Sequence, residues 1–322
     1  MYKVIMAPTE GSDSERAAIS VAVKLAQRFD ANLRLVRVLT PPLAIETVGR
    51  PPMLAQTGQM LLEERLARLR KLEALGTECR ALGDIRVITA LEDGRVAPTL
   101  RDYAEKFEVD LIVMSSHSRG GVKRITLGSV TDYLIRNTNI PVLVVKPPVS
   151  FIGATPPETI SRIVVPLDGS ALAEQILPEV AELASRLNST VNLLQVLTPL
   201  TYSQKEIMQP GLPWWDTDIA NADAYLARAA GYLIEKGLTV SKDVVLSDNV
   251  ATAILDYAER ARADVIALAT SGSGGVSRFV FGTVADEVTR RSTSSLLVFH
   301  PKLPGATSHV GERSNAEIPA GV

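Results

Sequence analysis

The sequence predicts an α/β protein made of two repeated doubly wound domains, each a five-stranded parallel sheet with helices on both faces. The first observation behind this is an internal repeat. Asp102-Tyr103-Ala104-Glu105 recurs as Asp256-Tyr257-Ala258-Glu259, and each copy leads through Asp110 or Asp264 into an apolar run, a Ser/Gly-rich loop, and then Gly128-Ser129 or Gly282-Thr283. The openings of the halves also agree: the stretch from Ile5 to Ser12 lines up with that from Ile163 to Ser170. A repeat this long marks two copies of one domain rather than a solenoid of short units. The second observation is that short apolar runs alternate with amphipathic stretches, the pattern of a parallel sheet covered on both faces.

In chain order, Val4 to Ala7 reads as a strand and Ser14 to Phe29 as a helix, because its apolar residues recur at helical spacing. Leu33 to Leu39 is the next strand and Met60 to Leu75 the next helix. Arg86 to Ala90, Leu111 to Met114 and Val142 to Val145 complete the strands, with helices at Val96 to Lys106 and Ser129 to Asn137 between them. The second half repeats the set, with strands near Ile163 to Pro166, Val191 to Leu197, Val240 to Leu246, Val265 to Ala269 and Leu296 to Phe299. The strand order expected in each half is 3-2-1-4-5.

Domains are expected at 1–147 and 161–301, joined by a proline-rich linker at 148–160. From residue 302 to 322, Pro, Gly, Ser and charged residues dominate without periodicity, the composition of a disordered tail. Two longer excursions follow the second strand of each half, Pro41 to Gln59 and Pro199 to Asp218. The latter holds Trp214-Trp215, two large aromatics in a polar loop.

A length of 322 residues suits two domains of ordinary size, each long enough to bury a core. The one cysteine, Cys79, excludes an intramolecular disulfide and reads as a bland, partly buried or surface thiol. Net charge is −2, and the 34 basic residues are spread along the chain, which argues against nucleic acid. Met1 to Ile5 runs into a strand with no apolar signal segment, and no apolar run approaches the roughly 20 residues that span a bilayer. A cytoplasmic protein is expected.

Ligands of such folds sit outside the carboxyl ends of the strands, where the strand order reverses. In the second half that place carries Ala269 to Thr283, a run of small residues leading into a helix expected at about Val284. Small residues let backbone N–H groups come close to a ligand. The helix start adds unpaired donors and a partial positive charge, and Thr283 a hydroxyl, which together suit phosphate. Arg278 could screen outer phosphates. The competing account is a Gly-rich turn that only caps a helix. No Gly-Lys-Ser/Thr occurs, and Gly272-x-Gly274 lacks the rest of a dinucleotide fingerprint.

These residues resemble the universal stress protein family in its tandem two-domain form. Nucleotide-binding members carry Gly, two residues, Gly, nine residues, then Gly-Ser or Gly-Thr, and an Asp after the first strand in a Val-Pro-x-Asp-Gly-Ser context. The second half is similar almost throughout, with Val165-Pro166-Leu167-Asp168-Gly169-Ser170 and Gly272, nine residues, Gly282-Thr283; Ala269 replaces the first glycine. The first half departs further, with Ser115 and Ser118 at the early glycines, Gly128-Ser129 at the end, and Glu10 where Asp is expected.

The resemblance implies ATP as ligand, with Mg2+ held through phosphates and water. Asp168 would meet the adenine or ribose side, the backbone near Val196 the base, and Gly272 with Gly282 and Thr283 the phosphates. Asp-Gly-Ser is also, by itself, a turn followed by a helix cap. Glu10, Val38, Ser115, Ser118, Gly128 and Ser129 are the weaker first-half counterparts, beside the basic Arg119, Lys123 and Arg124. The family also implies that Pro141 to Val145 pairs with Ser295 to Phe299 across a two-fold, giving a dimer-like monomer. A homodimer of whole chains and a regulatory protein partner are compatible with that.

Hydrolysis or transfer would need a positioned base, nucleophile or metal set. His117, His300 and His309 are scattered without metal-ligand spacing, and no Gly-x-Ser-x-Gly elbow surrounds His117. The function expected is that of an ATP-binding stress-response regulator or binding module. The alternatives are a nucleotide-independent interaction scaffold and a slow ATP hydrolase.

Overall fold

A computed structural model describes residues 1–12, 15–40, 54–116, 127–146, 160–199, 214–270 and 282–300. The first half contributes strands β1 (Val4–Pro8), β2 (Asn32–Leu39), β3 (Val87–Asp93), β4 (Leu111–Ser115) and β5 (Val142–Val145). Its helices are α1 (Arg16–Phe29), α2 (Leu54–Leu82), α3 (Val96–Lys106) and α4 (Ser129–Asn137). The second half contributes β6 (Arg162–Pro166), β7 (Thr190–Leu197), β8 (Val240–Leu246), β9 (Val265–Ala269) and β10 (Ser295–Phe299). With them come a 3-10 turn (Ala173–Ile176) and helices α5 (Leu177–Leu187), α6 (Trp214–Ile234), α7 (Val250–Arg260) and α8 (Thr283–Arg291).

The strands form one sheet in the order β3-β2-β1-β4-β5-β10-β9-β6-β7-β8. Each half is parallel and keeps the expected 3-2-1-4-5 order. The halves are joined by antiparallel pairing of β5 with β10, Val144 opposite Leu296 and Val142 opposite Val298. The pairing expected from the family resemblance therefore forms within one chain, and it covers two strand edges that would otherwise be open to other chains.

Alternation along the strands feeds two cores, one on each face of the sheet. Ile5, Ala7, Leu33 and Leu35 pack under α1, α2, α5 and α6, while Met6, Val36, Ile112 and Met114 pack under α3, α4, α7 and α8. Each core runs through both halves, so the halves share their apolar layers.

The repeated residues prove to be scaffold. Asp110 Oδ2 accepts the N–H groups of Lys3 and Val4 at 2.7 and 2.9 Å, and Asp264 Oδ2 those of Ser161 and Arg162 at the same distances. Both tie strands at the amino ends of the sheet, away from the mouth. Tyr103, from the repeated tetrad, is buried and accepts from Arg34 at 2.9 Å.

Some boundaries differ from the expected ones. α2 runs from 54 to 82 rather than from Met60 to Leu75. Gly76, inside the helix, is a contact point: a Cβ there would lie 2.8 Å from Thr89 Cγ2, so the absent side chain lets α2 press on β3. Trp214-Trp215 begins α6 instead of lying in a loop. Cys79 is wholly buried under the first core, not partly exposed. His117, the linker at 148–160 except residue 160, the loop residues of both excursions and the tail lie outside the described residues.

Candidate functional site

The strand order reverses between β1 and β4 and again between β6 and β9, so the carboxyl ends of these pairs form two mouths. In the second, Leu167 N–H donates to Leu194 O at 2.8 Å, carrying the β6 to β7 ladder one residue past the strand. Asp168 then emerges exposed, and Gly169 turns the chain with φ of 87°, a left-handed conformation that glycine adopts without a steric cost. The Asp168 carboxylate accepts Ser170 N–H at 3.0 Å and Ser170 Oγ–H at 2.6 Å, and Ser170 Oγ in turn accepts Ala173 N–H at 3.1 Å. Asp168 thus performs the turn-and-cap function read from Asp-Gly-Ser.

Beside this turn, Gln195 reaches from β7 toward Gly169, where an added Cβ would lie 3.6 Å from its Nε2. Among the described residues, the buried Gln195 Oε1 makes no hydrogen bond. Burial, followed by the neighbouring Glu174 and Asp168 carboxylates, raises the Tyr225 phenol above its usual range. Gln195 therefore keeps hydrogen-bonding capacity to spare beside the Gly169 turn. Val196, the next residue of β7, turns to the other core and is half-buried.

Across the mouth, Ala269 ends β9 and the fully buried Thr270 follows. Thr270 N–H donates to Phe299 O at 2.9 Å, and Thr270 O accepts Gly282 N–H at 2.8 Å, which closes the base of the intervening loop. Thr270 Oγ1 lies 2.6 Å from His300 Nδ1. Gly282 is the extended N-cap of α8 and supplies no side-chain cap, and Thr283 beside it is exposed. The first-turn N–H groups of α8 are therefore presented at the mouth without a capping side chain from Gly282, the donor set a phosphate needs. Gly272 and Arg278 lie outside the described residues.

The first mouth is built differently. Thr9 N–H repeats the ladder extension to Val36 O at 2.9 Å, and Gly11 repeats the turn with φ of 81°. Here, however, the carboxylate comes from Glu15. It accepts Thr9 Oγ1–H at 2.8 Å, Glu10 N–H at 2.9 Å and Gly11 N–H at 3.1 Å. Glu15 was not singled out from sequence, although Ser12-x-x-Glu15 is the spacing of a capping box.

Arg37 takes the place that Gln195 holds in the second half; a Cβ on Gly11 would lie 3.2 Å from its Nη1. Burial, then the nearby Arg68 guanidinium, lowers its proton affinity, while Glu15 and Glu10 oppose this. A cavity of about 480 Å³ opens here, lined by Glu10, Val38, Arg37, Arg65 and Arg68 among others. Arg65 pairs with Asp93 and Arg68 with Glu64, so the charges are largely matched inside the cavity. Ser115 ends β4, and Gly128 and Ser129 open α4 as Gly282 and Thr283 open α8, again without a side-chain cap. Ser118 lies outside the described residues.

Among the described residues no group of three or more His, Cys, Asp or Glu could hold a metal ion, and no helix is long and apolar enough to cross a membrane.

Two doubly wound halves, each with a Gly-opened helix at the carboxyl mouth of its sheet, define a tandem α/β protein. The chain belongs to the universal stress protein family, whose model matches it twice, over residues 1–146 and 159–300. A universal stress protein of Mycolicibacterium smegmatis is 24% identical over 310 residues, spanning 94% of this chain and 98% of that protein. The universal stress protein MJ0531 of Methanocaldococcus jannaschii is 33% identical over 150 residues, 46% of this chain and 84% of its own. A solved universal stress protein from Archaeoglobus fulgidus shares the fold with a TM-score of 0.62 at 17% identity, covering 92% of this chain and 98% of that one.

Proposed function

We propose that the chain is an ATP-binding tandem universal stress protein of the cytoplasm, acting as a nucleotide-dependent regulator or binding module, with the second half as its working site. The observation that carries this is the uncapped start of α8 at Gly282-Thr283, held at the mouth by the Gly282 to Thr270 bond. Gly282 and Thr283 would hold phosphates, with Gly272 and Arg278 from the preceding loop. Asp168 and Val196 would border the adenosine end, where Gln195 has hydrogen-bonding capacity left. Bound ATP would bring Mg2+ through its own phosphates. Domains at 1–147 and 161–301 accord with this arrangement.

The first half is the weaker site. Its turn donors are already taken by Glu15, and its cavity pairs arginines with carboxylates, so an incoming phosphate would have to displace existing partners. These closed contacts favour a scaffold role for this half.

Titration of nucleotide-stripped protein with Mg-ATP tests the proposal. The wild type should bind, and the Asp168→Ala, Gly272→Val double variant should lose binding. Equal binding by both would move the site elsewhere, and hydrolysis abolished by Thr283→Val would select the enzyme reading.

A further inference from the structure

The helix α8 has nine residues, about two and a half turns, a length at which an isolated helix is marginal in water. Its first-turn donors therefore depend on what holds the rest of it. Two of those holds come from the other half of the chain. At the first turn, Arg136 Nη2 of α4 donates to Asp286 Oδ1 at 3.0 Å, while Arg290 Nε of α8 donates to Asp286 Oδ2 at 2.8 Å. At the far end, Lys146, the residue after β5, donates from Nζ to Thr289 O at 3.1 Å and to Ser292 O at 2.5 Å.

Each contact does something a phosphate site needs. Asp286 stands three residues beyond Thr283, and a bare carboxylate there would repel an anion at the helix start; Arg136 and Arg290 offset its charge. The last carbonyls of a helix lack internal partners and carry the negative end of its dipole, so a buried ammonium there stops the last turn from fraying. Lys146 is itself 7% exposed, and its backbone N–H donates to Ser295 Oγ at 3.2 Å, which fixes it against the strand that follows α8. Its counterpart, His300, instead has its Nδ1 beside Thr270 of its own half.

We propose that the first half completes the second-half nucleotide site, with Arg136 and Lys146 as positioning residues that fix α8, and so the Gly282-Thr283 donors, from across the β5 to β10 pairing. This rests on the nucleotide reading above and gives the first half a role that does not need its own ligand.

The test uses the full chain, stripped of nucleotide, in wild-type, Lys146→Met, Arg136→Met, Lys146→Arg and Lys242→Met forms. Lys242 pairs with Asp223 on the far edge of the second half and serves as the control. Mg-ATP affinity is measured by calorimetry and amide exchange is followed over 283–291. The expected result is a loss of affinity of about fivefold or more in Lys146→Met and Arg136→Met, with faster exchange concentrated in α8, partial recovery in Lys146→Arg and no change in Lys242→Met. Affinities within twofold of the wild type in both methionine variants would overturn the proposal, whether or not α8 exchanges faster. A wild type that binds no Mg-ATP would overturn the nucleotide reading and the proposal together, an outcome distinct from variants that bind as well as a binding wild type.

Discussion

The Glu15 carboxylate accepts the Gly11 N–H at 3.1 Å, so the turn after the first strand is closed by a side chain from the start of α1. In the second half the same turn is closed by Asp168 and Ser170. Glu15→Ala would leave Glu10 N–H and the Thr9 hydroxyl without their partner, while Gly11 N–H would keep its bond to Thr9 Oγ1 at 3.0 Å. A loss of about 0.5–1.5 kcal/mol in denaturant unfolding is expected, the net worth of an ordinary hydrogen bond, because water can reach Glu10 and Gly11. An unchanged midpoint would mean that water replaces the carboxylate at no cost.

Arg136 and Asp286 form the second testable pair. Arg290 first, and Arg136 after it, hold the Asp286 carboxyl below its ordinary value against the opposing effect of burial. A lowered carboxyl stabilises the fold above its unfolded value, and that contribution disappears as pH falls through the lower folded value. A double-mutant cycle of Arg136→Met and Asp286→Asn at neutral pH should give a coupling of about 0.5–1 kcal/mol, since the group is partly solvated. The coupling should vanish in acid. A pH-independent coupling would contradict the ionic origin.

Lys146 titrates in the opposite sense from a lysine that has gained an acidic partner. Burial pushes it down to about 8 from 10.5. Below about 8 the ammonium is charged in both states and its desolvation cost is fully present. Between that value and 10.5 the unfolded chain keeps a proton that the folded chain releases, so stability rises with pH. Relative to Lys146→Met, the wild type should gain on the order of 2–3 kcal/mol over this window. Parallel stability profiles for the two proteins would contradict this placement of the amine.

Burial, then Glu78, pushes the Cys79 thiol up to about 11, with Arg80 opposing. Native protein should leave a thiol reagent unreacted at neutral pH over the time in which denatured protein reacts completely. Rapid native labelling would show that α2 opens locally.

The fold was legible because apolar periodicity is set by which face of a strand or helix is buried, and both copies keep it. The extent of α2 was not: the helix runs on past Leu75 through Gly76, whose lack of a side chain admits the close approach of Thr89. The start of α8 could be read from Gly282-Thr283 because helix-start chemistry is local. Arg37 against Gly11 and Gln195 against Gly169 could not, since they depend on how the second strand lies beside the first turn. Lys146 and its acceptor Thr289 stand 143 residues apart, and nothing in a single sequence joins them.

Nucleotide content per chain tests the central claim most directly. Purified protein is denatured, the released nucleotide is identified and counted, and the stripped chain is reloaded with Mg-ATP. The expected result is an adenine nucleotide approaching one per chain, recovered on reloading and lost when Asp168 and Gly272 are altered. No released nucleotide and no reloading would contradict the claim and leave a tandem scaffold whose two mouths serve another purpose.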